Sequence, residues 1–426
     1  MIDIKFIREN QDIVKNACKL KGFIDNTDKI LELDKKVREL KTLTESKVAE
    51  KNKISKEIPN SSNKEELIKK SKLIDDEISE ELKELADKEN LLKDLLFTVP
   101  QIPNEDSPVG EDDKSNTVIK IVGKIRNFDF TPLAQWDILD RNNWWYPEKI
   151  SQISGARTYC LIGEAAELNL AVQMYVINKL ISKGFKLIEC PSITKLETVF
   201  NAGHFLGSDL SIMKDDVFIL KDTDKCLAGT SEIILNSIHR DEILKETQLP
   251  IKYIGLSQCF RKEAGAAGRD TRGLVRFHQF NKVEQFVFCT EEQAEGIYQL
   301  LLNNLCETME DLELPYRIIA NSTGDMGFNK IKMNDVEAWI PSENTYREMG
   351  SCSFIGDFQS RRTNTRYRED KTGKLKFCYT LNNTGIALPR AIAPFIENHQ
   401  NADGSVNIPI KLQPYLGGRT KIGNKN

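Results

Sequence analysis

The chain has 426 residues, of which 40% are hydrophobic and 29% are charged, and its formal net charge is −4. Such a composition is typical of a soluble globular protein, and the length allows two or three domains with at least one substantial core. No segment combines membrane-spanning length with low charge, and charged residues interrupt the first ten positions, so we expect no membrane association, no signal peptide and a cytoplasmic location.

The nine cysteines and four histidines do not form a pattern typical of a metal site. No CxxC pair or HExxH motif is present, and an odd number of scattered cysteines is typical of reduced thiols rather than disulfides. We therefore expect no zinc. The small negative net charge does not exclude a nucleic-acid partner, because such binding depends on local basic patches.

Two segments near the N-terminus, residues 27–56 and 64–97, are predicted to form long helices. Both contain almost no Gly or Pro and have apolar residues at helical spacing. The apolar stripes comprise Leu33, Val37 and Leu40 in the first helix, and Ile74, Ile78, Leu82, Leu85 and Leu92 in the second. Each narrow stripe needs a partner, and residues 59–63 are typical of a turn, so we expect an antiparallel helical hairpin.

The role of this hairpin does not follow from its residues. Lys64, Lys69, Lys70 and Lys72 follow the turn and could contact RNA phosphates, but a helix face rich in Lys and Glu is more often simply solvated. An RNA-binding arm, a dimerisation coiled coil and a solvated spacer are therefore all compatible with the pattern.

A change of composition after residue 97 indicates a domain boundary. Prolines and a glycine lie in a polar, acidic stretch that is typical of a linker. We place the boundary near residue 105, which gives an N-terminal domain of residues 1–104 and a second domain of residues 105–426. Beyond residue 118 the pattern mixes elements, with a predicted amphipathic helix at 168–183 and predicted strands at 252–260 and 275–288.

The stretch CFRKEAGAAGRDTRGLVRFHQFNKVE at residues 259–284 is predicted to form a strand, a Gly-rich loop and a returning strand. Residues two apart on a strand face the same side. One surface is thus expected to carry Arg261 and Glu263 from the first strand, and Arg276, Phe280 and Glu284 from the second. Arginines suit phosphate oxygens, an aromatic ring suits a base, and a carboxylate suits an amine or a hydroxyl, so this set favours a nucleotide site.

An ordinary hairpin with a polar exposed face is the alternative interpretation of this stretch. The spacing of Gly265, Gly268 and Gly273 is weak support for a phosphate site, because it matches neither a P-loop nor a dinucleotide-binding fingerprint. The residues alone therefore leave both interpretations open.

The same stretch resembles motif 2 of the class II aminoacyl-tRNA synthetases, in the form typical of the seryl-tRNA synthetase family. Residues 184–191 resemble motif 1, and residues 381–390 resemble motif 3. Residues 229–232 (GTSE) are similar to the serine-binding segment of the family, and residues 347–353 (REMGSCS) are similar to its metal and ATP segment. The opening MIDIKFIREN and the hairpin match its N-terminal domain, so the resemblance covers essentially the whole chain.

The resemblance implies an α+β fold, with an N-terminal antiparallel helical hairpin as a coiled-coil arm and a class II catalytic domain whose mixed, mainly antiparallel sheet is flanked by helices. It implies ATP-dependent activation of L-serine to seryl-adenylate and transfer of serine to tRNA(Ser), and it leaves open whether tRNA(Sec) is also charged. It further implies Mg²⁺ bound with ATP, a tRNA-binding arm, and a homodimer, because motif 1 builds the subunit interface in this class.

The resemblance also assigns roles to individual residues. The expected catalytic residues are Arg261 and Arg390. The expected serine-binding residues are Thr230, Ser231, Glu232, Arg261, Glu284 and Thr384. The expected ATP-binding residues are Arg261, Lys262, Glu263, Arg276, Phe280, Glu348, Met349, Gly350, Ser351 and Arg390. The expected Mg²⁺ ligands are Glu348 and Ser351.

Motif 3 departs from the usual bacterial pattern, since Asn383-Thr384 replaces a Gly-Ser pair and Pro389 replaces a Gly. Thr384 keeps a hydroxyl, so its expected role is retained. Pro394 is tolerated only in the first turn of a helix, so that helix is predicted to start within residues 391–393.

Two rival functions are compatible with parts of the pattern. A homologue that loads a carrier protein would lack the arm and use a zinc site. A non-catalytic descendant with a binding or regulatory role would have no reason to keep every phosphate and metal ligand. The arm and the intact set of arginines and glutamates favour a synthetase over both.

Overall fold

A computed structural model of the chain describes residues 1–205, 216–263 and 273–423. Of its two units, the first comprises Met1–Pro100 and the second comprises the described residues from Gln101 onward. Within the described ranges, no helix is both long enough and apolar enough to cross a membrane.

The first unit is built around two long helices, as the sequence predicts. The short helices α1 (Ile4–Glu9) and α2 (Gln11–Leu20) precede α3 (Thr27–Glu57) and α4 (Lys64–Leu96), which are joined by a 3-10 turn at Ile58–Asn60. The long helices pack against each other, and Ile54, Ile74 and Ile78 form an apolar cluster near the turn. The predicted hairpin is therefore confirmed.

One member of the predicted stripe, Leu82, does not lie in the helix interface, since it is 50% exposed. In a helix pair the interface positions recur every seven residues, and the position seven residues after Ile74 is Glu81. The side chain of Glu81 is only 15% exposed, and its carboxylate pairs with Lys47 Nζ of α3 at 2.6 Å. An ion pair therefore occupies the interface position that the pattern assigned to a leucine.

The second unit is an α+β structure around a mixed sheet. Its helices are α5 (Gln135–Arg141), α6 (Pro147–Ser154), α7 (Glu164–Ser182), α8 (Leu196–Ala202), α9 (Glu232–Ser237), α10 (Glu291–Asp311), α11 (Phe358–Thr363) and α12 (Ile392–His399). Its strands are β1 (Thr117–Val122), β2 (Lys186–Glu189), β3 (Ile193–Lys195), β4 (Lys225–Leu227), β5 (Ile243–Lys245), β6 (Ile251–Phe260), β7 (Gln279–Cys289), β8 (Tyr316–Ala320), β9 (Lys332–Ile340), β10 (Thr345–Gly356), β11 (Arg366–Arg368), β12 (Leu375–Phe377), β13 (Tyr379–Leu388), β14 (Val406–Asn407) and β15 (Lys421–Ile422).

The main sheet of the described residues contains eight strands in the order β1-β8-β9-β10-β13-β7-β6-β2. Neighbouring strands are antiparallel except β2 and β6, which are parallel. The predicted mixed, mainly antiparallel sheet is therefore confirmed. Helix α7 corresponds to the predicted amphipathic helix, and α12 begins at Ile392, so Pro394 lies in its first turn as expected.

The two faces of this sheet carry different chemistry at its centre. On β13, the Nδ2 of Asn383 donates to the carbonyl of Leu301 on α10 at 2.6 Å. Its neighbour Asn382 instead donates to Glu284 on β7 at 2.9 Å. Because adjacent residues of a strand point to opposite faces, α10 covers one face and the other face holds a group of polar side chains.

Gly350 on β10 is packed tightly, since a β-carbon added there would lie 2.6 Å from Cβ of Thr384. We expect Gly350→Ala to lower the free energy of unfolding by about 1–3 kcal/mol, because the overpacked strands must shift. Gly296, inside α10, offers a matched control, since no described atom outside its own helix turn lies within 4 Å of an added β-carbon. Gly296→Ala should stabilise the protein by about 0.5–1 kcal/mol. Equal effects of the two substitutions in thermal unfolding would contradict this packing argument.

Candidate active site

A pocket on the polar face of the central strands brings together most of the predicted site residues. Those that line it are Arg261, Glu263, Arg276, Phe280, Glu348, Met349, Thr384 and Arg390. Thr230 lines a second pocket, which adjoins the first because both are lined by Arg261, Glu263 and Arg276. Residues that are far apart in the sequence are thus side by side in the fold.

Two buried carboxylates lie beside the predicted threonines. Glu232 at the start of α9 is 5% exposed, and Glu284 on β7 is 0% exposed. Asn382 Nδ2 donates to both, at 3.0 Å to Glu232 Oε2 and 2.9 Å to Glu284 Oε1. Thr384 is the cross-strand partner of Glu284, and the Thr230 hydroxyl accepts from the N–H of Glu232 at 3.3 Å. We call this cluster the amino-acid end of the site.

The electrostatics of the amino-acid end depend on burial and on one lysine. Burial raises the pKa of Glu284 above its ordinary value, an effect that Lys282 opposes and the carboxylate of Glu232 reinforces. Lys282 Nζ forms an ion pair with Glu284 Oε2, and it donates to the Thr230 hydroxyl at 3.4 Å. The amino-acid end therefore contains two carboxylates and a single lysine ammonium among the described side chains.

Lys282 and Asn382 are not among the residues predicted from the sequence. Lys282 has the same strand parity as Phe280 and Glu284 on β7, so the periodicity that indicated those two residues could have indicated it as well. Asn382 is 98 and 150 residues away from the carboxylates that it bridges, and no local pattern connects them.

Ser231, a predicted serine-binding residue, is placed differently from its neighbours. It is fully buried, and its hydroxyl donates to the carbonyl of Gly255 on β6 at 3.2 Å. Its side chain therefore anchors α9 to the sheet and does not line either pocket. A role for Ser231 in binding serine stays a prediction.

Arg261 and Arg390 both line the first pocket, and we call the part of the site around them the phosphate end. The Arg261 guanidinium lies 5.2 Å from the centroid of the Phe280 ring, and its Nε donates to the carbonyl of Gly229 at 3.3 Å. Arg390 Nη1 lies 3.4 Å from Glu348 Oε1. These guanidinium groups can offer charged donors to phosphate oxygens, while the Phe280 ring can stack on a base.

Glu263 and Arg276 correct the predicted strand geometry. Strand β6 ends at Phe260 and β7 begins at Gln279, so neither residue lies on a strand. Glu263 has a left-handed backbone with φ of 55°, and Oε2 of its carboxylate accepts from Arg276 Nη1 at 2.6 Å. The two side chains meet because the chain turns after β6, not because of strand parity. If Glu263 contacted a base and Arg276 contacted phosphates, as expected from the resemblance, the ion pair between the two side chains would have to break.

The residues expected to hold Mg²⁺ fit a hard cation. Glu348 and Ser351 both lie on β10, and Ser351 is the cross-strand partner of Asp335 on β9. Asp335 was not predicted, yet its Oδ1 is buried and has no hydrogen-bond partner among the described residues. Burial raises the pKa of Asp335, and the carboxylate of Glu348 raises it further, so a nearby cation would stabilise the charged form of Asp335. Oxygen donors of this kind are those that Mg²⁺ prefers.

The remaining predicted ATP-binding residues have smaller roles in the described site. Met349 is 2% exposed and lines the pocket, whereas Gly350 leaves space for Thr384 behind it. Lys262 Nζ lies 5.9 Å from the ring centroid of Phe218 and does not line either pocket. Gly265 and Gly268 of the predicted loop lie outside the described residues.

Family models match both units of the chain. Residues 1–103 match the seryl-tRNA synthetase N-terminal domain. Residues 218–399 match the tRNA synthetase class II core domain (G, H, P, S and T). The second range includes every residue that lines the first pocket.

Similar proteins match the chain from end to end. The serine–tRNA ligases of Deinococcus radiodurans and Staphylococcus haemolyticus are 44% and 38% identical to it, and each alignment covers 99% of both proteins. The crystal structure of the Pyrococcus horikoshii seryl-tRNA synthetase complexed with ATP superposes with a TM-score of 0.93 at 33% identity, covering 100% of both chains. The crystal structure of the cytoplasmic serine–tRNA ligase of Naegleria fowleri in complex with AMP superposes with a TM-score of 0.88 at 31% identity, covering 100% of this chain and 99% of that chain. The chain therefore belongs to the seryl-tRNA synthetase family.

Proposed function

We propose that the pocket across β6, β7, β13 and β10 is the place where this chain activates L-serine with ATP, before the seryl group is transferred to tRNA(Ser). Activity as an ATP-dependent serine–tRNA ligase follows from membership of the family, and the assignment to these residues is our proposal. The observation that carries it is the bridged carboxylate pair Glu232 and Glu284, whose partner Lys282 lines the same pocket as Arg261 and Arg390.

The chemistry of activation suits such a site. An oxygen of the serine carboxylate attacks the α-phosphorus of ATP, the bond to pyrophosphate breaks, and seryl-adenylate forms; a terminal hydroxyl of the tRNA then attacks the seryl carbonyl and releases AMP. This reaction needs alignment and stabilisation of negative charge more than a protein nucleophile. Arg261 would hold the serine carboxylate and the α-phosphate, and Arg276 and Arg390 would hold the outer phosphates.

The amino-acid end would recognise both polar groups of serine. Glu232 and the Thr230 hydroxyl would accept hydrogen bonds from the ammonium, and Glu284 with Thr384 would bind the hydroxyl. Because Glu284 is fully buried, alanine in the same place would leave its carboxylate without that partner. A site built in this way can reject an analogue that lacks the hydroxyl by about 10⁴-fold.

The phosphate end would hold magnesium with ATP. Glu348 and Ser351 are the proposed ligands, and Asp335 would orient the Ser351 hydroxyl. When bound, the ion would neutralise part of the negative charge of the phosphates.

Glu284→Ala provides a test of the amino-acid end. It should abolish serine-dependent exchange of pyrophosphate into ATP, because the variant loses the acceptor of the serine hydroxyl. ATP binding measured by calorimetry should be largely retained, since Glu284, unlike Arg261 and Arg390, does not line the first pocket. Equal loss of serine activation and ATP affinity would show that Glu284 instead maintains the whole site.

We further propose that residues 1–104 form the tRNA-binding arm domain and residues 105–426 the catalytic domain. The lysines Lys64, Lys69 and Lys72 that follow the turn are exposed, as contacts with RNA phosphates require. Several other lysines of the hairpin instead pair with carboxylates across the two helices, such as Lys41 with Glu89 at 2.6 Å. Recognition would then be of RNA shape and backbone more than of bases.

Shortening the arm should separate the two half-reactions. In a variant whose residues 30–96 are replaced by a short linker, we expect seryl-adenylate formation to continue while charging of tRNA becomes very weak. The tRNA affinity of the intact chain should also fall steeply with salt. If the shortened variant charged tRNA as well as the intact chain, the arm would be a spacer or an assembly element.

We also propose a cytoplasmic homodimer. Helix α7 exposes Leu170, Met174 and Ile181, which are 44–55% exposed, and the edge strand β2 exposes Leu187. Apolar side chains gathered on the surface near motif 1 favour a subunit interface there. A reducing compartment fits the cysteines, because all nine lie in described ranges and none forms a disulfide.

The dimer can be tested by light scattering at several protein concentrations. We expect the mass of two chains, and Met174→Lys should weaken the association because it buries a charge in an apolar interface. Asn178 on the same helix donates to the Tyr415 hydroxyl at 3.1 Å within the chain, so Asn178→Ala is a control for changes on α7. A monomer at every concentration would contradict the proposal.

A further inference from the structure

Lys282 occupies a central position at the amino-acid end. Its ammonium forms an ion pair with Glu284, the proposed acceptor of the serine hydroxyl. The same Nζ lies 3.4 Å from the hydroxyl of Thr230, which is proposed to bind the serine ammonium. The side chain of Lys282 is only 11% exposed. A fixed positive charge therefore lies between the groups that would bind the two polar ends of the substrate.

The amino-acid end has two carboxylates but a single lysine ammonium among the described side chains, so one more cation can be paired there. Glu232 and Glu284 are both buried and share the Asn382 amide, so their charges lie close together. Lys282 neutralises Glu284. Among the described residues, His204 Nε2 also lies 3.5 Å from Glu232, and burial lowers the pKa of this imidazole, which disfavours its charged form. Glu232 is thus left to pair with the ammonium of an amino-acid substrate.

We propose that Lys282 is a specificity-determining residue, which neutralises Glu284 so that the site accepts a neutral hydroxyl and rejects a second ammonium. This inference rests on the proposed function of the pocket. Lys282 acts through Glu284: with its charge neutralised, the carboxylate remains an acceptor for a hydroxyl but no longer attracts a cationic side chain. A buried carboxylate without its lysine would instead favour any cation that can reach it.

L-2,3-Diaminopropionate is a suitable probe, because it is serine with an amine in place of the hydroxyl. In its protonated form it places an ammonium where serine places a hydroxyl, next to Glu284 and facing Lys282. Two ammonium groups that contact the same carboxylate repel each other strongly in a partly desolvated site. The native chain should therefore discriminate against the protonated analogue, and loss of the lysine charge should relax that discrimination.

The experiment measures kcat/KM of pyrophosphate exchange for serine and for diaminopropionate, at a pH at which the side-chain amine is protonated. In Lys282→Met we expect the kcat/KM for serine divided by that for diaminopropionate to fall by about tenfold or more. The repulsion between Lys282 and the second ammonium is lost, and the attraction of Glu284 for that ammonium remains. Lys282→Arg keeps the charge and should keep the native ratio. Lys332→Met removes a lysine that pairs with Glu295 outside the pocket, so it should also keep the native ratio. A merely structural lysine would not change the preference between two substrates.

A measurement on the native chain covers the case in which Lys282→Met does not fold. The affinity for diaminopropionate relative to serine should rise as pH passes the pKa of its side-chain amine, because the neutral amine no longer repels Lys282. Equal relative affinity for the protonated and neutral forms, or a native ratio in a folded Lys282→Met, overturns the inference. A native chain without serine-dependent exchange would instead contradict the proposed function itself.

Discussion

The rest of the site depends on the two hydrogen bonds that the Asn382 side-chain amide donates. It joins a carboxylate at the start of α9 to a carboxylate in the middle of β7, and it does so from β13, the strand between β7 and β10. Like charges so close together would separate or take up a proton without a shared donor. A single side chain thus fixes the distance between the two groups that would hold opposite ends of one small substrate.

The surrounding side chains support this bridge. Gln359 on α11 donates from Nε2 to the other oxygen of Glu232 at 2.8 Å, and its own Oε1 accepts from the Thr380 hydroxyl on β13 at 2.8 Å. Buried polar networks of this kind are costly when incomplete and rigid when complete. The network includes residues of two helices, α9 and α11, and two strands, β7 and β13, so the geometry of the amino-acid end depends on how these elements pack.

The parts of the structure that could be predicted from the sequence are those encoded by short-range patterns. The ends of α3 and α4 lie within a residue of the predicted ones, because helical periodicity and a turn define them locally. The same reasoning failed for Leu82, where an ion pair through Glu81 replaced the apolar contact.

Within the site, the predicted residues were identified through motifs. Of the missed ones, Lys282 and Asn382 lie inside the segments that resemble motifs 2 and 3, and Asp335 lies outside every motif. Asn382 and Asp335 acquire their roles from strand pairing, which brings together residues that no local spacing connects. The Glu263–Arg276 pair could not be predicted for a related reason. It depends on where two strands separate, and strand ends are poorly defined by sequence.

The two ends of the pocket are organised for different tasks. At the amino-acid end the carboxylates are buried and hydrogen-bonded by Asn382, so the proposed recognition of serine would be preorganised. At the phosphate end Arg390 is paired with Glu348, whose side chain is 48% exposed, and Arg276 is paired with Glu263. A partly exposed pair such as Arg390 and Glu348 contributes little stability, so exchanging its carboxylate for phosphate oxygens costs little. With the proposed roles, the site would therefore rearrange around a large, highly charged nucleotide, while its selectivity for the amino acid would be fixed by the buried end.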